Sequence, residues 1–335
     1  MIKVKIVCMS LLFVVVLFAG CTTEYKQDVY VVGWGHQGDN HWGRVAKLWK
    51  NGKDINLTGK NERDAVALSV YVSNKDVYAV GYDLVSGFKV VPKLWKNGIA
   101  QKLNVSSNFA EANSVFVSGN DVYVAGREGS KATVWKNGTP ESLTDGTYNA
   151  SAHSVYVSGE DVYVVGREQN AQKNHVAKLW KNGIVQSLSN GISNAKAFSV
   201  FVSGGDVYVA GYDGNAQGKT VATLWKNGTV QHLLTDRMNA TSALSVYVSD
   251  NDVYVAGHER NVAILWKNGT EERLTYGISE AEVWSVFVSG NDVFVAGSER
   301  NDQGIYIAKL WKNGIAENLT SGDIGDAKAF SVFVK

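Results

Sequence analysis

The 335-residue chain is short of proline, short of cysteine and without a surplus of either charge. Its two cysteines, Cys8 and Cys21, both fall in the first 21 residues, which excludes a disulfide framework or a thiolate metal site from the body. Net charge is +1, and once Lys3 and Lys5 of the leader are set aside the acids exceed the bases by one. A near-neutral chain without a basic stripe is not built for nucleic acid. No window holds helical apolar periodicity, and no glycine cluster leads into a helix, so a phosphate-cradling loop is absent as well. What remains is 45% hydrophobic and 19% charged, with 34 glycines against two prolines, the profile of many short strands joined by tight turns.

The first twenty residues read as a secretory signal. Lys3 and Lys5 precede the thirteen-residue apolar run from Ile6 to Phe18, too short to span a bilayer comfortably, and the small residues Ala19 and Gly20 follow. The ending Leu17-Phe18-Ala19-Gly20-Cys21 resembles the lipobox of bacterial lipoproteins, with Phe18 where that family usually has Leu. The resemblance implies a signal peptide over 1–20, a lipidated Cys21 as mature N-terminus, and a tether over 21–27. Thr22 in place of Asp then implies delivery to the outer membrane of the cell envelope, the chain meeting the membrane through its lipid anchor.

From Asp28 on, one pattern returns seven times. Its marker is Leu-Trp-Lys-Asn-Gly in nearly the same form each time (Val134 precedes Trp135), at Trp49, Trp95, Trp135, Trp180, Trp225, Trp266 and Trp311, spaced by 46, 40, 45, 45, 41 and 45 residues. Asn-Gly after a β-rich run signals a hairpin, because a type I′ turn needs φ > 0 at both central residues. Each unit contains Ser-Val-Tyr/Phe-Val (strand A), Asp-Val-Tyr/Phe-Val or a variant (strand B), the Leu-Trp stretch (strand C) and a short run ending in Leu (strand D). Three hairpin links and one crossover of about ten residues make a four-stranded meander that steps to the next, and periods of 40–45 with four strands mark a propeller. Repeats start at residues 28, 76, 121, 161, 206, 252 and 292. The first lacks a strand A, and the chain stops on one, Ser331-Val-Phe-Val-Lys335. The expectation is an all-β, seven-bladed propeller over 28–335, monomeric and closed by the C-terminal strand completing the N-terminal blade. The body resembles WD40-type propellers in architecture, with Trp-Lys where that family has Trp-Asp, and its repeat looks like the Leu-Trp-Lys-Asn-Gly propeller repeats of bacterial surface lipoproteins.

Comparing copies separates scaffold from candidate site. The seven tryptophans, the Asn-Gly pairs, the Asp opening strand B and the Gly closing it are constant and read as structural, with stacking of a repeated ligand on Trp as the other reading. Two places after that Gly stands a carboxylate in six copies, Asp83, Glu128, Glu168, Asp213, Glu259 and Glu299, with Gly35 in the first. These form either a cation-binding partial ring on the B–C/D–A face or pairs with loop bases and amides. The residue entering strand A varies most (Leu68, Asn113, His153, Phe198, Leu244, Trp284, Phe330) and belongs at the channel mouth, gripping a sugar or peptide or plugging the channel. The first B–C loop, with Trp34, His36, Asp39, His41 and Trp42, is the richest single segment: a ligand contact, a metal site without helical preorganisation, or a solvated loop. His175, His232 and His258 are scattered, and no catalytic pair, metal motif or cofactor motif emerges. The leading expectation is a binding or scaffolding module for a protein or glycan, including a multivalent lectin using seven inter-blade clefts. The alternatives are a polysaccharide-processing enzyme using loop carboxylates, and a duplicated fold without a selected ligand.

Overall fold

The Asn-Gly pairs dictate the most regular local structure. Every one adopts the left-handed conformation twice, with φ of 50–53° at Asn and 77–81° at Gly, so each C–D link is a tight hairpin whose twist matches its strands. The structure, a computed structural model, describes residues 27–335 apart from 38–39, 60–63, 86–88, 234–239 and 324. The side chains of residues 37, 40–42 and 232 also lie outside that description, as do the leader, Cys21 and the tether up to residue 26. No helix among the described residues is long and apolar enough to cross a membrane.

Twenty-eight strands form seven four-stranded antiparallel sheets in A-B-C-D order. Blade six is typical: Thr241–Ser249, Asp252–Glu259, Val262–Lys267 and Thr270–Arg273. Blade one joins Ala327–Val334 from the C-terminus to Val29–Gln37, Asn40–Lys50 and Lys53–Asn56. Asp28 and Lys335 exchange two backbone hydrogen bonds at that junction, of 2.8 and 2.9 Å. Strand A of each blade touches strand A of the next all the way round, so the ring is closed.

Seven apolar clusters fill the seven interfaces between blades. Each contains one marker tryptophan set against the blade before it; Trp180, for example, lies among Tyr123, Ala125 and Val134 of blade three. All seven are at most 1% exposed, which leaves no indole face for a ligand. Burying about 200 Å² of indole is worth roughly 5 kcal/mol at 25 cal/mol per Å².

Two sequence expectations need correction in detail. The first B–C segment is not an open loop from Trp34 to Arg44. Its strands run on to Gln37 and from Asn40, pairing Trp34 with Ala46 and Gln37 with Asn40, with the register broken between Gly35 and Gln37. The D–A crossovers are seven or eight residues rather than ten, because strand A starts ahead of its Ser-Val motif.

Candidate functional site

That early start creates the feature that shapes the mouth. In all seven strands A the register slips by one residue, and the extra residue is Phe330, Leu68, Asn113, His153, Phe198, Leu244 and Trp284 for blades one to seven. The most variable position of the repeat is therefore a β-bulge, a device that re-aims a side chain. The bulge pushes a strand A carbonyl onto strand B: a Cβ at Gly33, Gly81, Gly126, Gly166, Gly211, Gly257 or Gly297 would lie 1.9–2.1 Å from that oxygen. This steric demand, not a turn, is why strand B carries a glycine there, and the strand continues past it in every blade.

After the bulge the ring becomes regular again. Ser69, Ser114, Ser154, Ser199, Ser245, Ser285 and Ser331 each accept a hydrogen bond from a valine amide in the next blade, at 3.1–3.3 Å, and the seven bonds close a circle. Two residues further on, Tyr71, Phe116, Tyr156, Phe201, Tyr247, Phe287 and Phe333 form a second circle, each ring touching both neighbours with centroids 4.7–5.0 Å apart. A heptagon of that edge puts the centroids only about 5.5 Å from the axis, so the channel narrows to an aromatic waist. Burial raises the phenols of Tyr71, Tyr156 and Tyr247, the last to about 12. The sequence reading treated these aromatics as strand formers; their constancy at one position was the available signal.

On the opposite face a polar clamp recurs in every blade. The turn Asn accepts from a strand B amide at 2.8–2.9 Å and donates to the strand B Asp at 2.7–2.8 Å. The Lys following each marker Trp reaches the same Asp at 2.6–2.8 Å and lies 5.1–5.4 Å from the centroid of the strand B aromatic. This accounts for Trp-Lys at a position where Trp-Asp propellers carry an acid.

At the mouth the copies diverge. Polar bulge residues cross to the next blade: Asn113 Nδ2 donates to Ala152 O at 2.9 Å, and His153 Nδ1 lies 2.8 Å from the equivalent Ala197 O, which requires a proton on Nδ1. His153 stacks on Phe198 at 5.5 Å, and Phe198 meets Tyr212 at 5.9 Å. Trp284 meets Phe330 edge-on at 5.4 Å. Charges flank these rings. Glu282 binds Lys328 at 2.6 Å between blades seven and one, and Arg127 faces Glu111 at 3.6 Å. Arg167 and Lys196, on blades four and five, have no carboxylate within ion-pair distance among the described residues; Arg167 meets the His175 ring instead, with Nη1 3.1 Å from Nδ1, and Lys196 lies 5.9 Å from the Tyr212 centroid. Comparison of the copies does not single these cations out, because neither position keeps its residue: Arg stands in two copies of seven, Arg127 and Arg167, and Lys in two, Lys196 and Lys328.

Of the carboxylates after the strand B glycine, Asp83, Glu168 and Glu299 pair within their own blade with Lys93, Lys178 and Lys309. Glu259 sits 4.0 Å from Arg273. Glu128 caps a crossover, accepting from the Ser106 amide, from Ser106 Oγ at 2.7 Å and from Ser107 N at 2.9 Å; burial draws its pKa up, but these bonds outweigh it and hold the group below its ordinary value. Asp213 stands one residue before the end of strand B of blade five, opposite Val221. In blade one, where Gly35 replaces the acid, the buried Lys47 turns to Asp54 at 2.7 Å and Asn56 at 3.2 Å. Trp34 meets His36 at 5.7 Å and lies under Arg44, itself paired with Asp64. Asp39 and the side chains of His41 and Trp42 fall outside the described residues, among which no group of three His, Cys, Asp or Glu could hold a metal. Two inter-blade clefts open beside the clamps, of about 740 Å³ between blades seven and one and 300 Å³ between three and four.

The fold is shared with solved propellers. The β-propeller domain of the Trilobed protease from Pyrococcus furiosus, described as having an open velcro topology, superposes with a TM-score of 0.56 at 13% identity, covering 89% of this chain and 95% of that one. A putative 6-phosphogluconolactonase from Bacteroides fragilis gives 0.51 at 14% identity over 94% and 99%. A prolyl endopeptidase gives 0.53 at 11% identity, with 90% of this chain spanning half of that one. At such identities the likeness shows architecture alone. No family model matches the chain, and no curated protein matches it either.

Proposed function

We propose that this chain is a lipid-anchored propeller of the bacterial envelope that works as a binding or scaffolding module, with a protein or glycan ligand met at the B–C/D–A mouth. One observation carries the reading. The bulge position carries seven side chains of five residue types, six of them partly exposed at the mouth and Leu244 buried, while the glycine that permits each bulge and the serine that follows it are constant. A rigid scaffold with variation confined to one face is the arrangement of a recognition surface. Polysaccharide hydrolysis has less support, since at the mouth Glu111 and Glu282 both face cations and a hydrolase needs two working carboxylates.

The test is a screen of the full-length chain in detergent against bacterial and host glycans and purified envelope proteins. Saturable binding that is lost on altering mouth residues supports the reading, and no saturable binding to any of them overturns it. The anchor is tested separately: Cys21→Ala should move the protein from the membrane to the soluble fraction and abolish incorporation of labelled fatty acid. Unchanged labelling would rule out Cys21 as the anchor.

A further inference from the structure

The two arcs of the mouth differ in charge balance. Between blades seven and one, Lys328 is matched by Glu282. On blade three, Arg127 is matched by Glu111. On blades four and five two cations stand side by side, Arg167 and Lys196, with no carboxylate at ion-pair distance among the described residues. Both are half-buried, and each is paired across its blade with a neutral residue, Arg167 with Ser151 and Lys196 with Tyr212. Holding like charges together out of water is unfavourable, and the nearest carboxylate, Glu111, acts on Arg167 only from beyond ion-pair distance while itself facing Arg127. Aromatic surface borders the pair: Tyr212 and Phe198 are in contact, and His153 stacks on Phe198.

We infer that the mouth over blades four and five is an anion site that takes the carboxylate of an acidic sugar, with Arg167 and Lys196 holding the carboxylate and the Phe198–Tyr212 surface facing the sugar ring. The Arg fork and the Lys ammonium give charge-assisted hydrogen bonds to carboxylate oxygens, and an aromatic edge favours the apolar face of a pyranose over a bare inorganic anion. The surroundings agree. Burial lowers the pKa of Arg167 with help from Arg127 and against the smaller pull of Tyr212 and Glu111, and that of Lys196 with help from Arg167. His153 and His175 are held neutral down to about 4, first by burial and then by these cations. This part of the mouth thus resists further positive charge, which a bound anion would relieve. This inference deepens the binding-module reading and rests on it.

The experiment is calorimetric titration of the full-length chain in detergent with tri-galacturonate, with neutral maltotriose, tri-glutamate and inorganic phosphate as comparison ligands. We expect one saturable site per chain for tri-galacturonate, with affinity that falls as salt rises, and at least about tenfold weaker binding of the other three. The double variant Arg167→Gln/Lys196→Gln should weaken tri-galacturonate by about tenfold or more with an unchanged melting temperature. Arg167→Lys/Lys196→Arg should recover most of the loss. Lys53→Gln/Lys75→Gln removes the same charge from exposed positions away from the mouth and should bind as the natural chain. Equal affinity for maltotriose, or full affinity in the Gln double variant, overturns the inference. Tighter binding of tri-glutamate or phosphate overturns the choice of sugar. If another glycan or an envelope protein binds and the Gln variant binds it equally, only this inference falls. If nothing binds, the binding-module reading falls with it.

Discussion

The two faces of this propeller are made from the same repeat and behave as different molecules. On the clamp face each blade places Asp, Lys, Asn and an aromatic in the same relation, each distance within about 0.3 Å from copy to copy. On the mouth face the backbone repeats equally well, bulge included, but the side chains it presents do not. The difference teaches that uniformity here belongs to whatever holds a strand to its neighbour, and that one bulged position per blade is released from that duty. A position can vary freely only where its backbone is secured by others, and here the flanking Gly and Ser secure it.

The comparison breaks most completely if the shared core is removed. Trp180→Ala should cost about 4 kcal/mol, because the indole fills the interface of blades three and four; a melting temperature within a degree of the natural chain would contradict this packing role. Next comes the link between the faces. Gly166→Ala sets a Cβ about 2.0 Å from Ser151 O and should cost about 3 kcal/mol while displacing His153. Retention of both stability and the His153–Phe198 contact, read from ring-current shifts, would show that the glycine is dispensable.

The smallest effect is the most selective. His153 and His175 have pKa values of about 4 against an ordinary 6.5, lowered first by burial. Between those limits the unfolded chain binds protons that the folded chain refuses, so stability falls as pH drops from about 6.5 to 4. The clamp aspartates are lowered, chiefly by their Lys and Asn partners. Their contribution is therefore present above the ordinary carboxylate range and is lost only below it. A melting curve against pH should show two stages, the mouth yielding before the clamps. His153→Asn, which can donate to Ala197 O as Asn113 does to Ala152 O, should flatten the upper stage by a degree or more and leave the lower stage alone. An unaltered upper stage would place its titration elsewhere.

Blade number, strand order, the Asn-Gly turns and the closing strand were all legible in the sequence, since each is a local signal repeated seven times. The position at the mouth was legible too, as the residue that refuses to repeat. That it is a bulge was not, because the slip shows only when Gly166 is set against Ser151 fifteen residues away. The aromatic waist was hidden for a similar reason: Tyr71 meets Phe116 and Phe333 across blade boundaries, and no periodicity within one strand reports such a contact. Arg167 and Lys196 were invisible because being unpaired is a property of surroundings. The first B–C hairpin misled because its glycines suggested a loop from Trp34 on, whereas the ladder holds through Trp34 and Gly35, breaks at His36 and resumes at Gln37.

Seven is an odd number, and the waist records it. Around the axis Tyr and Phe alternate, Tyr71, Phe116, Tyr156, Phe201, Tyr247, Phe287, until Phe333 follows Phe287 and the pattern meets itself out of step. Two kinds of ring cannot alternate around an odd circle without one like pair. That mismatch falls between the last blade and the first, beside the wider of the two clefts. The ring therefore has one distinguishable side, and a molecule lying on the axis meets three phenols and four plain rings rather than seven equal contacts.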